Sequence, residues 1–544
     1  YSRAKLNADI ETLRSYYLTR GYLEFKVDST QVAILPNKTD IAININITEG
    51  ERFVVSGVKL EGNFLGKEEE FKSLVTIRPG EAYNADEVAN TSKAFTDYFS
   101  NFGFAFARVE ARPDIDRVNN LVTIVLQADS SRRAYVRKIN VTGNNRTRDV
   151  VVRREFRQFE SSWYDGEKIK LSRDRVDRLG YFKDVGVETQ EVPGSPDLVD
   201  LSINVSEKPT GSLSLGAGFS SSDGLGLSFG LKQDNAFGSG NSLGIQINTS
   251  KINRVVVLNT TDPYFTDDGV SRTLDIYHRT ASPYQDQSYY QLVTTGGSVR
   301  FGVPFTADDT IYFGAGVENT NIVPGTGLPV PYLQYATNFG YDSTAVPVTI
   351  GWSRDRRDSA LAPNSGRYQR ANAEWSVAGD VRYLRATYQY QQFVPINKQF
   401  TAAFNGELGW GTALGGRPYP VFKNFYGGGL GSVRGFEQGS LGPRDKDETI
   451  LGGTRKVNLN AELLAPFPGA GNDRTLRMYA FVDVGSVAGP DATNENASSL
   501  RASTGVGISW ISPVGPLRLA IARPLKQFDG DKIQSMQFQI GTSF

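Results

Sequence analysis

Gly211-Ser212-Leu213-Ser214-Leu215-Gly216-Ala217-Gly218-Phe219 is the stretch that decides the fold. Successive side chains of an extended strand point to opposite faces. Leu213, Leu215, Ala217 and Phe219 therefore share one face, and Ser212, Ser214, Gly216 and Gly218 the other. After Asp223-Gly224, a tight-turn dipeptide, Leu225, Leu227, Phe229 and Leu231 repeat the pattern. Phe400, Ala402, Phe404, Leu408 and Trp410 do so further on, then Val457, Leu459, Ala461 and Leu463, and at the end Met536, Phe538, Ile540 and Phe544. From Gly211 onward we read sixteen strand-like segments of about ten residues, the length a tilted strand needs to cross a bilayer.

One apolar and one polar face suit either a soluble sandwich or a membrane barrel with a wet lumen. Three features favour the barrel: the strand length, aromatic residues near strand ends, and an asymmetry of the connections. The long connections, roughly 322–345, 412–450, 486–502 and 524–534, all follow odd-numbered strands. They therefore lie on one side of an up-and-down barrel, opposite the N-terminal domains. Composition agrees once it is divided along the chain. Of 56 glycines among 544 residues, 12 lie in residues 1–207 and 44 in residues 208–544. The mean hydropathy of −0.34 averages a lipid face with a wet one, and no apolar run is long enough for a transmembrane helix.

Working back from Gly211, the first 207 residues are a repeat. Val58-Lys59-Leu60-Glu61-Gly62-Asn63 recurs as Ile139-Asn140-Val141-Thr142-Gly143-Asn144, and Arg20-Gly21-Tyr22 as Phe102-Gly103-Phe104 and Leu179-Gly180-Tyr181. Each small-Gly-aromatic element follows a helical stretch, where glycine suits a C-cap in the left-handed region. The unit reads strand, helix, helix, strand, strand. Residues 51–130 and 131–207 are complete copies, and 1–50 is expected to be a partial one. The chain opens at Tyr1 with no Met and no apolar leader, so it is expected to be mature, its signal peptide removed, or truncated. Small α+β units of this kind bind partners through an exposed sheet edge or serve as rigid spacers.

The repeats resemble POTRA domains. The loop before strand 12 carries Val433-Arg434-Gly435-Phe436, the VRGF motif of the POTRA-plus-barrel superfamily that inserts or secretes proteins at the bacterial outer membrane. Arg153-Arg154-Glu155 with Arg157-Gln158, Val192-Pro193-Gly194-Ser195-Pro196-Asp197, Gln233-Asp234-Asn235 and the ending Gln537-Phe538-Gln539-Ile540-Gly541 support the resemblance, which covers essentially the whole chain. It implies tandem α+β POTRA repeats (1–50, 51–130 and 131–207) followed by a 16-stranded antiparallel transmembrane β-barrel (208–544), with the motif on the long loop about 412–450. It further implies an outer-membrane insertase of the β-barrel assembly machinery, its repeats in the periplasm. The implied partners are unfolded outer-membrane β-barrel substrates, BamD-like and other accessory lipoproteins, periplasmic chaperones and the lipid bilayer. By the same resemblance Arg434 reaches into the lumen and pairs with Glu462 and Asp483. Alternation independently puts both carboxylates on the non-lipid face, because Ala461, Leu463, Val482 and Val484 point outward. The alternative is a solvated Arg434 in a mobile Gly-rich loop.

The resemblance also implies a lateral gate between the first and last strands, over Gly211, Leu213, Leu215, Gly216, Gly218, Phe538, Ile540, Gly541 and Phe544. Glycine weakens a strand interior, and unpaired backbone facing lipid is costly, so an open seam would recruit a nascent strand. The other reading is that these glycines ease barrel curvature. The partner surface for the lipoprotein is carried over to Arg153, Arg157 and Glu160. From the residues alone, Arg153–Glu160 is a charged, solvated helix face.

Enzymatic function is not expected. With no Cys and one His, thiol nucleophiles, disulfides and His-rich metal centres are excluded. His278 shares the lipid-side face of Leu274 and Ile276. Gly62–Lys67 is one residue short of a Walker A loop, so no cofactor or metal is expected. Lys plus Arg and Asp plus Glu balance at 59 each, which gives no pull toward nucleic acid. The remaining readings are a TamA-like or two-partner secretion transporter, or a passive porin, which has no need of tandem repeats or an inserted arginine loop.

Overall fold

A computed structural model describes residues 2–544 except 37–39, 283–289, 307, 360–361, 470–474, 491–495, 513–514 and 542–544. Tyr1–Pro209 and Thr210–Phe544 form two compact units.

The first unit contains α1 (Arg3–Leu18), β1 (Lys26–Ile34) and β2 (Ile41–Thr48). Two five-element modules follow. The first is β3 (Val54–Gly62), α2 (Glu68–Ser73), α3 (Ala85–Ser100), β4 (Arg108–Asp116) and β5 (Leu121–Asp129). The second is β6 (Tyr135–Thr142), α4 (Asp149–Arg153), α5 (Gly166–Arg178), β7 (Phe182–Val192) and β8 (Ser195–Glu207). In each, the last strand is central, parallel to the first and antiparallel to its own hairpin partner. The long helices start where a side chain satisfies a free amide: Asn84 accepts from the Asp86 N–H and Asp165 from the Lys168 N–H. Phe64, Phe71, Phe95 and Phe99 fill the first core, and Val136, Val151, Val176, Leu201 and Ile203 the second. The repeated Gly-Asn has a steric cause. Gly62 and Gly143 have φ of +104° and +86°, and a Cβ there would come within 2.1 Å of the Ala128 carbonyl and 1.9 Å of the Val205 carbonyl.

The second unit is the barrel. Its strands are β9 (Gly211–Ser220), β10 (Gly224–Ala236), β11 (Asn241–Thr249), β12 (Asn253–Asp262), β13 (Ser271–Ala281), β14 (Tyr290–Pro304), β15 (Asp309–Pro324), β16 (Asp342–Asp355), β17 (Gly366–Gly379), β18 (Tyr383–Pro395) and β19 (Thr401–Ala413). After the long motif loop, which carries the two-residue β20 (Gly435–Phe436), come β21 (Arg455–Pro466), β22 (Leu476–Ala488), β23 (Arg501–Ser512) and β24 (Gly515–Lys526). The two-residue β25 (Ile533–Gln534) and then β26 (Met536–Ile540) end the series. Leaving out β20 and β25, which pair with each other, the strands hydrogen-bond in chain order and β26 returns to β9. The result is a closed antiparallel barrel of sixteen strands. Among the described residues no helix is long and apolar enough to cross a membrane; that statement does not bear on strands.

Alternation sets the two faces. Leu213 and Leu215 on β9 are 63% and 76% exposed, and Ile276, Val457, Leu459 and Val482 on other strands are exposed as well. Inward-facing Tyr479, Phe481 and Asp483 on β22 are buried. The connection 322–345, which the sequence marks only as a long one, is not irregular throughout. It contains α6 (Val330–Phe339). Tyr332, Tyr335 and Ala336, at helical spacing, pack on Tyr290, Tyr383, Val421 and Leu451. Ten residues hold too few turns for that period to stand out in the sequence.

Candidate functional site

The motif loop is folded against the inner face of the barrel, and Arg434 is its most constrained point. Its side chain is 2% exposed. Nε and Nη2 donate to the two oxygens of Asp483 at 2.7 and 2.6 Å, Nη1 donates to Glu462 at 2.6 Å, and the Arg434 backbone N–H adds a bond to Asp483 at 3.0 Å. The planar fork of the guanidinium makes this two-sided clamp possible. Its Cζ lies 3.6 Å from the Phe481 ring centroid, a cation–π contact strengthened by desolvation. Asn460 donates to Asp483 at 2.8 Å and to the Ser432 carbonyl at 2.7 Å, so the strand that orients the acid also holds the loop. Arg518 reaches Glu462 at 3.4 Å, which balances two cations against two carboxylates.

The rest of the motif packs around this clamp. Val433 and Phe436 are buried with Leu441 and Val487. Gly435 has φ +88°, and a Cβ would stand 3.0 Å from that of Ala522. The structure thus brings Val433, Arg434, Gly435, Phe436, Glu462 and Asp483 together in one site.

Two further buried charge clusters hold the same loop, and the sequence reading singled out neither. Lys423, in the loop's stem, contacts Glu318 at 2.5 Å and Glu374 at 3.0 Å. Tyr277 donates to Glu318 at 3.0 Å, and Tyr383 donates to Glu374. Asp531, between β24 and β26, lies between Arg444 at 3.0 Å and Arg501 at 3.1 Å, all three side chains nearly inaccessible. Arg501 also donates to the carbonyls of Asn496, Ala497 and Ser499. A mid-strand acid on the lumenal side, such as Glu318 beside outward-facing Val317 or Glu374 beside Trp375, was the available signal. Its cation came from a loop with no periodicity to place it.

The seam between the first and last strands is uneven. β9 pairs with β10 at ten register positions, in which Gly216 and Gly218 take regular places opposite Ser228 and Gly226. Among the described residues β9 pairs with β26 at two, Ser220 opposite Gln539 and Phe219 opposite Ile540. The Ser221 N–H adds a bond to the Phe538 carbonyl at 3.0 Å, and the Phe219 and Phe538 rings lie 5.8 Å apart. Gly541 then leaves the strand with φ +80°, and a Cβ there would come within 2.4 Å of the Ala217 carbonyl. Of the expected gate residues, Phe538, Ile540 and Gly541 therefore meet β9 near its turn end. Gly211, Leu213, Leu215, Gly216 and Gly218 have no β26 partner among the described residues. Phe544 lies outside the described residues. Phe219, Ser220, Ser221 and Gln539, which carry the contact, depend on the register and were not expected.

The helix read for the stretch that carries Arg153, Arg157 and Glu160 requires a correction. Arg153–Glu160 is not one helix face: α4 ends at Arg153 and the chain turns. Burial causes the break. Glu155 is ion-paired to Arg175 at 2.8 Å. Gln158, 1% exposed, accepts from the Asp165 N–H and donates to Phe159, Ser162 and Trp163. Arg153 and Glu160 stay half exposed, 3.6 Å apart, with Arg153 braced on Asp149 at 2.8 Å. The Glu160 carboxylate also accepts the Ile139 N–H at 2.8 Å. Arg157 points its guanidinium back to the Arg154 and Phe156 carbonyls.

Comparison with known proteins places this geometry among relatives. Residues 235–544 match the Omp85 superfamily domain, and residues 1–50, 53–129 and 134–208 each match the POTRA model described as a surface antigen variable number repeat. The outer membrane protein assembly factor BamA of Neisseria meningitidis serogroup B is 36% identical over 586 residues, spanning all of this chain and 73% of the relative. The protein of the same name from Neorickettsia risticii is 26% identical over 558 residues, with the same coverage of both chains. Among solved structures, that of BamA from Haemophilus ducreyi lacking POTRA domains 1–3 superposes with a TM-score of 0.82 at 27% identity. It covers 90% of this chain and all of that one.

Proposed function

This chain belongs to the Omp85 superfamily, in its BamA family, and from that premise we propose that it is an outer-membrane protein insertase whose working surface is a backbone edge. The barrel resides in the outer membrane, with the POTRA repeats in the periplasm. The protein assists assembly of outer-membrane proteins, which are its substrates. In the finer reading, β9 and β26 form a lateral gate. The observation that carries this is the contrast between ten register pairs on one side of β9 and two on the other among the described residues.

An edge that faces lipid cannot satisfy its N–H and C=O groups with water. A nascent strand of an unfolded barrel protein supplies those partners, as strand addition does at other exposed sheet edges. Hairpins then add in sequence until the new barrel closes on itself and separates. The drive comes from backbone pairing and lipid burial, so no chemical step or bound nucleotide is required, and the protein is not an enzyme. A passive porin is the weaker reading, because three buried charge clusters tie the motif loop into the lumen a porin would keep open. A TamA-like or secretion-transporter role fits the 36% identity over the whole chain less well.

The test is reconstitution into liposomes without nucleotide. An unfolded outer-membrane barrel protein should fold several-fold faster than in protein-free liposomes. Equal rates would refute the insertase reading.

The half-exposed pair Arg153–Glu160, beside exposed Phe159, is proposed as part of the surface for a BamD-like accessory lipoprotein. Arg153→Glu should weaken capture of that lipoprotein about tenfold through like-charge repulsion at the rim. Undiminished capture would remove this residue from the interface.

A further inference from the structure

Among the described residues, the segment that leads into the last strand is held by the motif loop, and the last strand itself touches that loop through Gln537. β26 meets β9 at two register positions among the described residues. Just upstream, Ile533 and Gln534 pair in antiparallel register with Phe436 and Gly435. The Glu437 N–H donates to the Lys532 carbonyl at 2.9 Å. Asp531, one residue further back, is fixed to Arg444 of the same loop. The ladder between β24 and β26 correspondingly stops at Ile521 opposite Met536, with one more bond from the Ala522 N–H to the Ser535 carbonyl. The chain there has exchanged its neighbour strand for the motif.

Gln537 joins these two regions. Its side chain is inward-facing and the residue is 2% exposed. Its Nε2 donates to the Phe436 carbonyl at 2.7 Å and to the Gln534 side-chain oxygen at 3.3 Å, and its Oε1 accepts the Gly435 N–H at 3.2 Å. A carboxamide carries one acceptor and a donor group in the arrangement of a peptide unit. Gln537 therefore reads the backbone on either side of the Gly435–Phe436 peptide much as a strand neighbour would. Two residues later the same strand makes its contact with Ser220.

We infer that Gln537 is a positioning residue through which the motif loop sets the register and closure of the seam, so that the Arg434 clamp and the gate form one coupled unit. This inference rests on the reading of the seam as the place of substrate entry. With the carboxamide engaged, β26 is pinned with Gln539 opposite Ser220. When it releases, β26 keeps its ladder to β24 but loses its fixed position toward β9. Glu at this position keeps the acceptor for Gly435 and loses the donor to Phe436. Met keeps the length and loses both.

The test uses the full chain in liposomes with Ser220→Cys and Gln539→Cys as reporters; the protein has no native cysteine to interfere. Loss of the two buried neutral hydrogen bonds to the motif backbone shifts a closed-to-open ratio by about tenfold. Gln537→Ala and Gln537→Met should slow oxidative cross-linking of the reporters by that factor while the heat resistance of the barrel is retained, and Gln537→Glu, which turns a buried carboxylate on the Phe436 carbonyl, should slow it at least as much. Unchanged cross-linking in Ala and Met overturns the inference. Cross-linking that falls only in step with heat resistance also overturns it, since that marks a merely structural residue. If the substituted chains do not fold, hydrogen exchange on the unsubstituted protein decides. Peptides covering 431–437 and 533–541 should open as one unit, and independent opening overturns the coupling. Insertion assays on the same liposomes separate the two readings: a loosened seam with unchanged insertion leaves the coupling standing and refutes the seam as the entry point.

Discussion

Arg434→Glu should abolish insertion activity and lower the heat resistance of the barrel. The substitution sets a third carboxylate among Asp483, which is fully buried, and Glu462. Removing one partner of a buried pair costs about 3–5 kcal/mol, because the remaining charge is left without compensation; reversal adds repulsion to that loss. The loop also loses its cation–π contact with Phe481 and the bonds that hold it to β21 and β22. Arg434→Lys should fall between, since an ammonium keeps the charge and cannot bond both carboxylates with a planar fork. Barrel heat resistance on a gel and folding rates in liposomes measure the two effects. Native stability and activity in Arg434→Glu would mean that the clamp does not hold the loop.

The second large effect concerns the seam. A disulfide between Ser220→Cys and Gln539→Cys should reduce insertion to the rate of protein-free liposomes, and reductant should restore it. These positions face each other in register. The neighbouring Ser221 N–H to Phe538 carbonyl bond makes theirs the non-hydrogen-bonded type of pair, in which side chains come closest. A cross-link between Ser228→Cys and Asn248→Cys, across the regular β10–β11 ladder, is the control and should leave activity unchanged. Full insertion with the seam locked would exclude lateral opening from the mechanism and move the search for the active edge elsewhere on the barrel.

Much of the motif site was legible because it depends on local rules. Period-2 alternation states which way every strand residue points. Glu462 and Asp483 could therefore be put inside, where the resemblance required partners for Arg434. The loop's other anchors were not legible. Lys423 reaches Glu318 and Glu374 across 105 and 49 residues of chain, and Arg444 reaches Asp531 across 87. Nothing in the spacing of these residues announces those meetings. The stretch Arg153–Glu160 shows the converse error: its charges suggest a wet helix, yet Glu155 and Gln158 are needed inside the module and the helix ends to let them turn in.

The sequence by itself determined the repeats, the barrel, the two faces of each strand and the side of the barrel on which the motif's partners lie, because each follows from periodicity within a strand or identity between repeats. Only the tertiary structure decided how the barrel closes. The offset that sets Gln539 opposite Ser220, the two-residue seam among the described residues, and the diversion of Ile533–Gln537 onto the motif loop follow from bringing together chain segments about 320 and 100 residues apart. Closure is a global constraint on sixteen strands at once, and a pattern that repeats every two residues carries no information about which pair of them meets.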